Sequence, residues 1–474
     1  MSVEVIGVIT LVAGFASLRL DPRVGFRILV VSMLLGSAAA FVVPGLGTIQ
    51  PAHLMLGFVL TLGLGNPAIR AGWTRYARFP DSGFWLLCTL AYCIFSAYFL
   101  PRFFAGSVDV NAVSSAQYVT GMFRIPLLPS SGNITQSVYF IGDVVCFFVC
   151  CSFADSEKGF RSLTASLMVY AIANIGFALL DIGSSLVGAS FLLDFIRNST
   201  YVIYTDSTVG NMKRIIGSFT EASAFANATI AIFCFSLRLW LGNVHGGWAL
   251  FSTLASFILV VMSTSSTGYV ALPICIFIIY MGSLMRIGAL RAAQADIVFV
   301  IFIPLVLIIA VSAILLSPDL CDAAKGLLDT FIFNKGQSQS GIDRGRINVE
   351  GFQTFIDTNG LGAGAGSVRA SSFIIACFAN LGFIGTALFA GFIILMLTAP
   401  HSGDEEFICS ARGAARCACI GLLISGSISG ALIDLGLPFF VLGALSSAAP
   451  TASARALVLN ERSASVGALR GSTA

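Results

Sequence analysis

The stretch that decides the fold is IVFVIFIPLVLIIAVSAILL, residues 297–316. It contains no charged residue. A helix rises about 1.5 Å per residue, so this run would span about 30 Å, the thickness of the hydrocarbon core of a bilayer. Backbone N–H and C=O groups find no water in lipid, and a spanning segment must therefore be a helix or part of a closed barrel. Its apolar residues are continuous rather than alternating, so the run predicts a transmembrane helix.

Similar apolar runs recur along the whole chain of 474 residues, of which 57% are hydrophobic and only 10% charged, with a mean hydropathy of +0.92. A soluble surface is usually a quarter or more charged, which excludes a soluble protein. We predict an all-α polytopic integral membrane protein with 12–13 transmembrane helices in a single domain, residues 1–449. The predicted spans are residues 3–18, 28–43, 53–65, 84–100, 136–153, 162–180, 222–240, 248–262, 269–285, 297–316, 371–397, 417–435 and, more weakly, 437–449.

The distribution of basic residues predicts the orientation, because Lys and Arg accumulate in short cytoplasmic loops. Loop 44–52 has no charge, whereas the two neighbouring loops are basic. This pattern places the N-terminus outside and the Ala/Ser-rich tail 450–474, which we expect to be disordered, inside. The basic residues of the two inside loops are Arg19, Arg23, Arg27, Arg70, Arg75 and Arg78. The larger outside loops are then 101–135, 181–221 and 317–370.

Several classes of partner and cofactor are disfavoured. A net charge of +3 without a run of Lys or Arg gives no sign of nucleic acid. The twelve cysteines lie mostly within apolar runs, so a disulfide framework is not expected. Cys409, Cys417 and Cys419 lack paired CxxC spacing, and we expect no metal site and no cofactor.

The outside loops nevertheless carry many basic residues, against the usual bias. Two interpretations are open: the charges only keep these loops solvated, or several of them converge on an anionic ligand. Arginine suits the second role because its planar fork binds phosphate oxygens in bidentate fashion.

The first candidate segment is KRIIGSFTEASAFA, residues 213–226, in which Lys213 and Arg214 precede Glu221 at the start of a span. Three roles fit Glu221 at this position. It can stabilise the helix dipole or form a salt bridge with Arg214, both of which are structural. It can instead act as a catalytic base at the mouth of the span. The sequence leaves these roles open.

The second candidate is GRINVEGFQTFID followed by GLGAGAGSVR, which together end at Arg369. The first part predicts a roughly amphipathic helix that could lie on the membrane surface, with Arg344 and Arg346 at its start. The glycines could expose N–H groups to an anion, or could allow close packing. A dinucleotide loop is disfavoured, since no strand precedes the glycines.

A third feature, STSSTG at residues 263–268, is a polar break between two spans. It predicts either a tight helical hairpin or a turn whose hydroxyls line a cavity. Deep ionisable residues are few, Asp143 and Asp434 being the main ones, which disfavours a transporter.

In order along the chain come RIIGSFTEASAFA, STSSTG, an outside loop with DRGRINVEGFQTFIDTNGLGAGAGSVRASS, and ANLGFIGTALFAGFIILML. This order resembles the O-antigen polymerase and ligase family of bacterial inner-membrane proteins. That family has an Arg–Glu segment before a span, a Ser-rich break, and a large periplasmic loop with arginines and a GxGxGS-like turn. The likeness covers roughly residues 210–397.

The resemblance implies a GT-C-like, multi-pass glycosyltransferase whose active site faces the periplasm. Its substrates would be polyprenyl-diphosphate-linked oligosaccharides, as donor and acceptor, within membrane lipid. Chain-length regulator and export proteins would be its partners. The diphosphate-binding residues it implies are Arg214 and Arg344 or Arg346, near which Lys213 and Arg369 are further candidates.

Three functions remain open at this stage. The ligase branch of the family usually has a histidine in the large loop, and this chain has none there, which favours an exopolysaccharide or O-antigen polymerase. A ligase that transfers a finished glycan to a lipid or protein is the first alternative. A transporter or flippase for lipid-linked sugar is the second.

Overall fold

The computed structural model describes residues 2–43, 47–116, 119–199, 208–209, 212–329, 334–399 and 405–450. Within these ranges the chain is predominantly α-helical, and it is a multi-pass membrane protein. The helices are α1 Val5–Arg19, α2 Pro22–Ser32, α3 Pro51–Gly65, α4 Pro67–Tyr76, α5 Ser82–Phe103, α6 Ser131–Ala154, α7 Glu157–Leu186, α8 Ala222–Leu241, α9 Gly246–Met262, α10 Ser266–Gly288, α11 Gln294–Leu316, α12 Pro318–Leu328, α13 Gln339–Asp357, α14 Phe373–Thr398, α15 Glu406–Ser429 and α16 Leu437–Ser447.

Eight of the described helices are long and apolar enough to span a bilayer. The number rises to nine if α3 and α4, bent by 99°, form one broken span. Three further apolar helices, α1, α9 and α16, are shorter. The prediction of 12–13 spans therefore exceeds what helix length supports. The opening stretch is confirmed as helix α11, and only 6% of its most apolar window is buried, as expected for a surface that faces lipid.

Four predicted segments need correction. The span 28–43 is wrong, because α2 ends at Ser32 and the chain turns at Gly36. Ser37 then donates its hydroxyl proton to the Ile196 and Ser218 carbonyls, and these long-range bonds hold the turn. Two segments predicted as loops contain regular structure: residues 67–76 form α4, and residues 109–116 and 119–126 are the two strands of a hairpin. The span predicted to begin at residue 417 begins earlier, since α15 starts at Glu406. The tail 451–474 lies outside the described residues.

The core of the bundle is an aromatic cluster contributed by α6, α14 and α16. Phe140 packs edge-on against Phe389 with 5.7 Å between ring centroids, and Phe147 packs against Phe392 at 5.2 Å. Phe440 of α16 lies 6.3 Å from the ring of Phe140. Such edge-to-face pairs add to the packing energy of the rings, and they fix α16 beside the middle of α6.

Short strands cover one end of the bundle. Strands β1 Ser2–Val3, β2 Phe41–Val43 and β3 Gly47–Ile49 form a small antiparallel sheet. The β4 Asp109–Ala116 and β5 Val119–Pro126 hairpin packs against α13, where Asn111 donates to the Ile347 carbonyl and Thr354 to the Asp109 carbonyl. Strands β6 Thr208–Val209 and β7 Met212–Lys213 precede α8. The hairpin was not predicted, and it helps to fix the position of α13.

The glycine-rich segment after α13 is a packed connection. Gly362, Gly364 and Gly366 all have positive φ. A Cβ on Gly364 would lie 2.5 Å from the Ser96 carbonyl oxygen, and one on Gly366 would lie 2.3 Å from that of Gly132. Only glycine fits these positions, because they combine left-handed backbone with direct contact to other backbone. Of the two roles left open for these glycines, the structure supports close packing.

Candidate functional site

The loop that leads into α8 is held by one buried carboxylate near the end of α7. Asp181 accepts hydrogen bonds from Arg197 Nη2 at 2.8 Å, Ile216 N at 2.9 Å and Gly217 N at 3.0 Å. The side chains of Asp181 and Arg197 are both 2% exposed. A buried charge is tolerated when it is paired and hydrogen-bonded, and Asp181 meets that condition, whereas Arg197 donates through Nη2 while its Nε has no partner among the described residues. We call Asp181 with these donors the Asp181 anchor.

Lys213 belongs to the Asp181 anchor, since its Nζ lies 3.5 Å from Asp181 Oδ1. The loop is also tied on its other side, where Ser218 donates to the Leu34 carbonyl at 2.6 Å. Lys213, predicted to bind diphosphate, therefore has a carboxylate partner within the protein. The same anchoring fixes the backbone on both sides of Arg214.

Arg214 has no equivalent partner. Its side chain is half-buried, and its Nε is buried without a hydrogen-bond partner among the described residues. Burial lowers the pKa of the Arg214 guanidinium, Glu221 opposes this effect, and Arg344 lowers the pKa further. Because arginine keeps its proton in proteins, the lowered pKa means that the cation lies in unfavourable surroundings.

Arg344 reaches the same place from α13, about 130 residues further along the chain. No hydrogen bond or ion pair holds its guanidinium within the part of the chain that the structure describes. The two guanidinium groups are close enough to interact electrostatically, and like charges repel, so an anion bound near both would offset this repulsion. The pair is therefore a candidate anion site.

Glu221 is the N-cap residue of α8, but its side chain makes no capping hydrogen bond. Instead its Oε1 accepts a hydrogen bond from the Ser223 hydroxyl. Glu221 interacts electrostatically with Arg214 without forming an ion pair with it in the described structure. Glu221 thus forms neither a capping hydrogen bond nor an ion pair with Arg214 in the described structure, and its place at the start of α8 suits the predicted stabilisation of the helix dipole. The carboxylate lies beside the arginine pair with only a hydroxyl donor.

The polar break between α9 and α10 is the third segment near Arg214. Ser265 and Thr267 are buried, and their hydroxyls have no partner among the described residues. Tyr269, in the first turn of α10, interacts electrostatically with Arg214. Thr264 has a φ of 49°, which marks a sharp turn. The structure therefore brings the three candidate segments together around Arg214.

Arg346 and Arg369 are placed differently. Arg346 Nη1 lies 3.0 Å from Glu350 Oε2 in an ion pair on the exposed face of α13. Residues two apart on a helix point in different directions, so Arg344 and Arg346 cannot both hold one ligand. Arg369 is half-buried, and its backbone N–H donates to the Asn111 carbonyl at 2.9 Å. This bond joins the β4–β5 hairpin to the glycine-rich segment, so the backbone of Arg369 has a packing role.

That segment does not form an open nest of N–H donors. The N–H groups of Ala363 and Gly364 donate to carbonyls at the start of α14, and that of Val368 donates to Asn380 Oδ1 at 3.0 Å. Asn133, in the first turn of α6, donates to the Ala365 carbonyl and to the Ser367 hydroxyl, both at 2.8 Å. These bonds satisfy donors that an anion would otherwise need.

The described residues contain no group of three His, Cys, Asp or Glu that could hold a metal ion. Comparison of the chain with protein-family models, with curated proteins and with solved structures gives no match. The resemblance to the polymerase and ligase family therefore rests on the motifs alone.

The candidate site thus consists of Arg214, Arg344, Glu221 and Tyr269, beside the Asp181 anchor. The site roles of the first three stay predictions from the sequence, which did not point to Asp181, the residue that holds the backbone of the loop next to Arg214. Asp181 directly follows a predicted span, 162–180, and a single acid at such a place carries no distinguishing pattern.

Proposed function

We propose that the protein is a membrane-embedded glycosyltransferase that polymerises polyprenyl-diphosphate-linked oligosaccharides at the outer face of the bacterial inner membrane. The observation that carries the proposal is the electrostatic interaction between Arg214 and Arg344. Neither side chain has a hydrogen-bond or ion-pair partner among the described residues. A diphosphate supplies the two or more negative charges that such a pair lacks, and its oxygens match the guanidinium fork.

The proposed site lies where a lipid-linked substrate would present its head group. The apolar side chains of Val349, Phe352 and Ile356 are exposed on α13. We propose that this face of α13 rests in the membrane boundary, as amphipathic helices do. The polyprenyl chain would then lie in lipid while the diphosphate reaches the arginines.

The proposed reaction is a direct displacement. A hydroxyl of the acceptor sugar attacks the anomeric carbon of the donor, and the new C–O bond forms as the bond from that carbon to the diphosphate oxygen breaks. The bonding electrons leave with the diphosphate, whose developing charge Arg214 and Arg344 stabilise. Glu221 accepts the proton of the attacking hydroxyl, and the configuration at the anomeric carbon is inverted.

The chemistry requires no metal, because the diphosphate is already an activated leaving group and two arginines take the place of a cation. The test is to incubate the purified protein with a lipid-linked repeat unit and separate the products by size. A ladder of products supports a polymerase. A single transfer onto another lipid or a protein would indicate a ligase, and movement of unchanged substrate across a vesicle membrane would indicate a transporter.

A further inference from the structure

A second group of polar side chains lies inside the bundle, apart from the arginine pair. Asp143 is in the middle of the spanning helix α6 and is fully buried. Neither of its carboxyl oxygens accepts a hydrogen bond from the described residues. Charged residues are expensive at this depth, and those that are present usually have a function.

The carboxyl group of Asp434, which is half-buried, interacts electrostatically with that of Asp143. Asp434 belongs to the segment 430–436 between α15 and α16, which is not helical, and its Oδ1 accepts from Gly436 N at 2.5 Å. Helix α16 is only about 16 Å long, about half the thickness of the hydrocarbon core of a bilayer. The non-helical segment before it therefore lies within the bundle. Non-helical backbone at membrane depth is tolerated where it is enclosed by protein or lines a polar cavity.

His53 of α3 is the third member of the group. Its ring lies 4.7 Å from that of Tyr139, and its Cδ2 is 3.5 Å from the position of a Cβ on Gly142, so it packs against α6 directly beside Asp143. It interacts electrostatically with Asp434. Both of its nitrogens are buried without a partner among the described residues.

An independent observation points to a small polar ligand here. Gln136 is only 5% exposed, and its Nε2 also lacks a partner in the described ranges. At 100° per residue, Asn133, Gln136 and Asp143 lie on one face of α6. Asn133 bonds to the Ser367 hydroxyl of the glycine-rich segment. Buried polar groups are nearly always satisfied, so the two unsatisfied side chains, Gln136 and Asp143, on the face of α6 that Asn133 begins require an explanation.

We propose that Asp143 and Asp434 form an intramembrane proton-binding site, in which one proton is shared between the two carboxyl groups beside His53. Two ionised carboxylates are both acceptors and repel each other. A single bound proton turns one of them into a donor to the other, which converts the repulsion into a hydrogen bond. The inference does not depend on the proposed transferase activity.

The other groups around the site do not offer a competing counter-ion. Cys93 of α5 and Cys146 of α6 interact with Asp143, but a thiol carries no positive charge that could balance a carboxylate. No lysine or arginine is paired with Asp143 or Asp434 in the described structure. The bound species is therefore a proton, or else a small cation in its place.

The site is tested by infrared difference spectroscopy on the full-length protein in sodium-free buffer. A protonated carboxylic acid has a C=O stretching band that a carboxylate lacks and that shifts in D₂O. The wild type should show such a band near neutral pH, and the band should disappear as the pH is raised. Asp143→Asn should abolish it, because the asparagine amide then donates to Asp434 without a proton.

Asp322→Asn is the matched control, since the side chain of Asp322 is 81% exposed and its replacement should leave the band unchanged. The wild-type titration needs no variant, so it remains informative if Asp143→Asn does not fold. Absence of the band from the wild type near neutral pH, or its persistence in a folded Asp143→Asn protein, would overturn the proposal. Loss of the wild-type band on addition of sodium at constant pH would overturn it in favour of a sodium site.

Discussion

Removal of the Asp181 carboxylate should release the loop that carries Arg214. In Asp181→Ala the N–H groups of Ile216 and Gly217 lose their acceptor, and Arg197 becomes a buried cation without its carboxylate. A hydrogen bond to a charged group contributes about 1.5–3 kcal/mol, so the two N–H groups together lose about 3–6 kcal/mol. Since each 1.4 kcal/mol is tenfold in equilibrium, local opening of the loop should become at least ~100-fold more frequent.

Hydrogen exchange measured by mass spectrometry tests this directly on the peptide that contains residues 212–221. Exchange at Ile216 and Gly217 should accelerate at least ~100-fold in Asp181→Ala, and by less in Asp181→Asn, whose amide oxygen can still accept one bond. Asp194→Ala is the control, because Asp194 is exposed in the same loop. If exchange in Asp181→Ala stays within about threefold of wild type, the loop is held by something other than Asp181.

Three further changes test neighbouring parts of the account. Glu221→Gln should leave a folded protein that still binds lipid-linked substrate but does not turn it over, since an amide cannot take up the proton; wild-type turnover would exclude Glu221 as the base. Gly364→Ala should lower the thermal unfolding temperature, because the new Cβ would meet the Ser96 carbonyl at a left-handed position, whereas Gly57→Ala, with open space around it, should not; equal melting of the two variants would contradict the packing argument. Chelation with EDTA should leave turnover unchanged, and a loss restored by magnesium would show that a metal takes part.

The sequence predicted those features that depend on local pattern. Continuous apolar runs identified the spanning helices such as α11, and the amphipathic pattern after Arg344 predicted α13. The span 28–43 failed because its end is set by long-range bonds from Ser37, which no local pattern reveals. Apolar content alone could not show that the chain leaves the helix there.

The candidate site was predictable in part for the same reason. Arg214 and Glu221 are close in sequence and could be predicted together. Arg344 was a candidate because it begins the predicted amphipathic helix, and the resemblance implied a diphosphate role for Arg344 or Arg346. One contact that distinguishes among the basic residues is tertiary, since Lys213 pairs with Asp181, 32 residues earlier. Arg346 pairs with Glu350 one helical turn away, on a side of α13 that the sequence could not orient. The Asp143–Asp434 pair joins residues almost 300 positions apart.

The central claim is that Arg214 and Arg344 together bind a diphosphate, and the most direct test is equilibrium binding of a polyprenyl-diphosphate-linked oligosaccharide to purified protein. The assay compares the wild type with Arg214→Ala, Arg344→Ala and the double variant, and with Arg346→Ala as a control from the same helix. Lipid-linked monophosphate serves as the control ligand. Hydrogen bonds to charged groups contribute about 1.5–3 kcal/mol each.

We expect each single variant to weaken binding of the diphosphate about 10–100-fold, with Arg346→Ala close to wild type. The two losses should not be additive in the double variant, because both side chains contact one ligand. Arg214→Lys should restore binding only in part, since an ammonium group cannot reproduce the guanidinium fork. Unchanged affinity in the folded double variant would contradict the account.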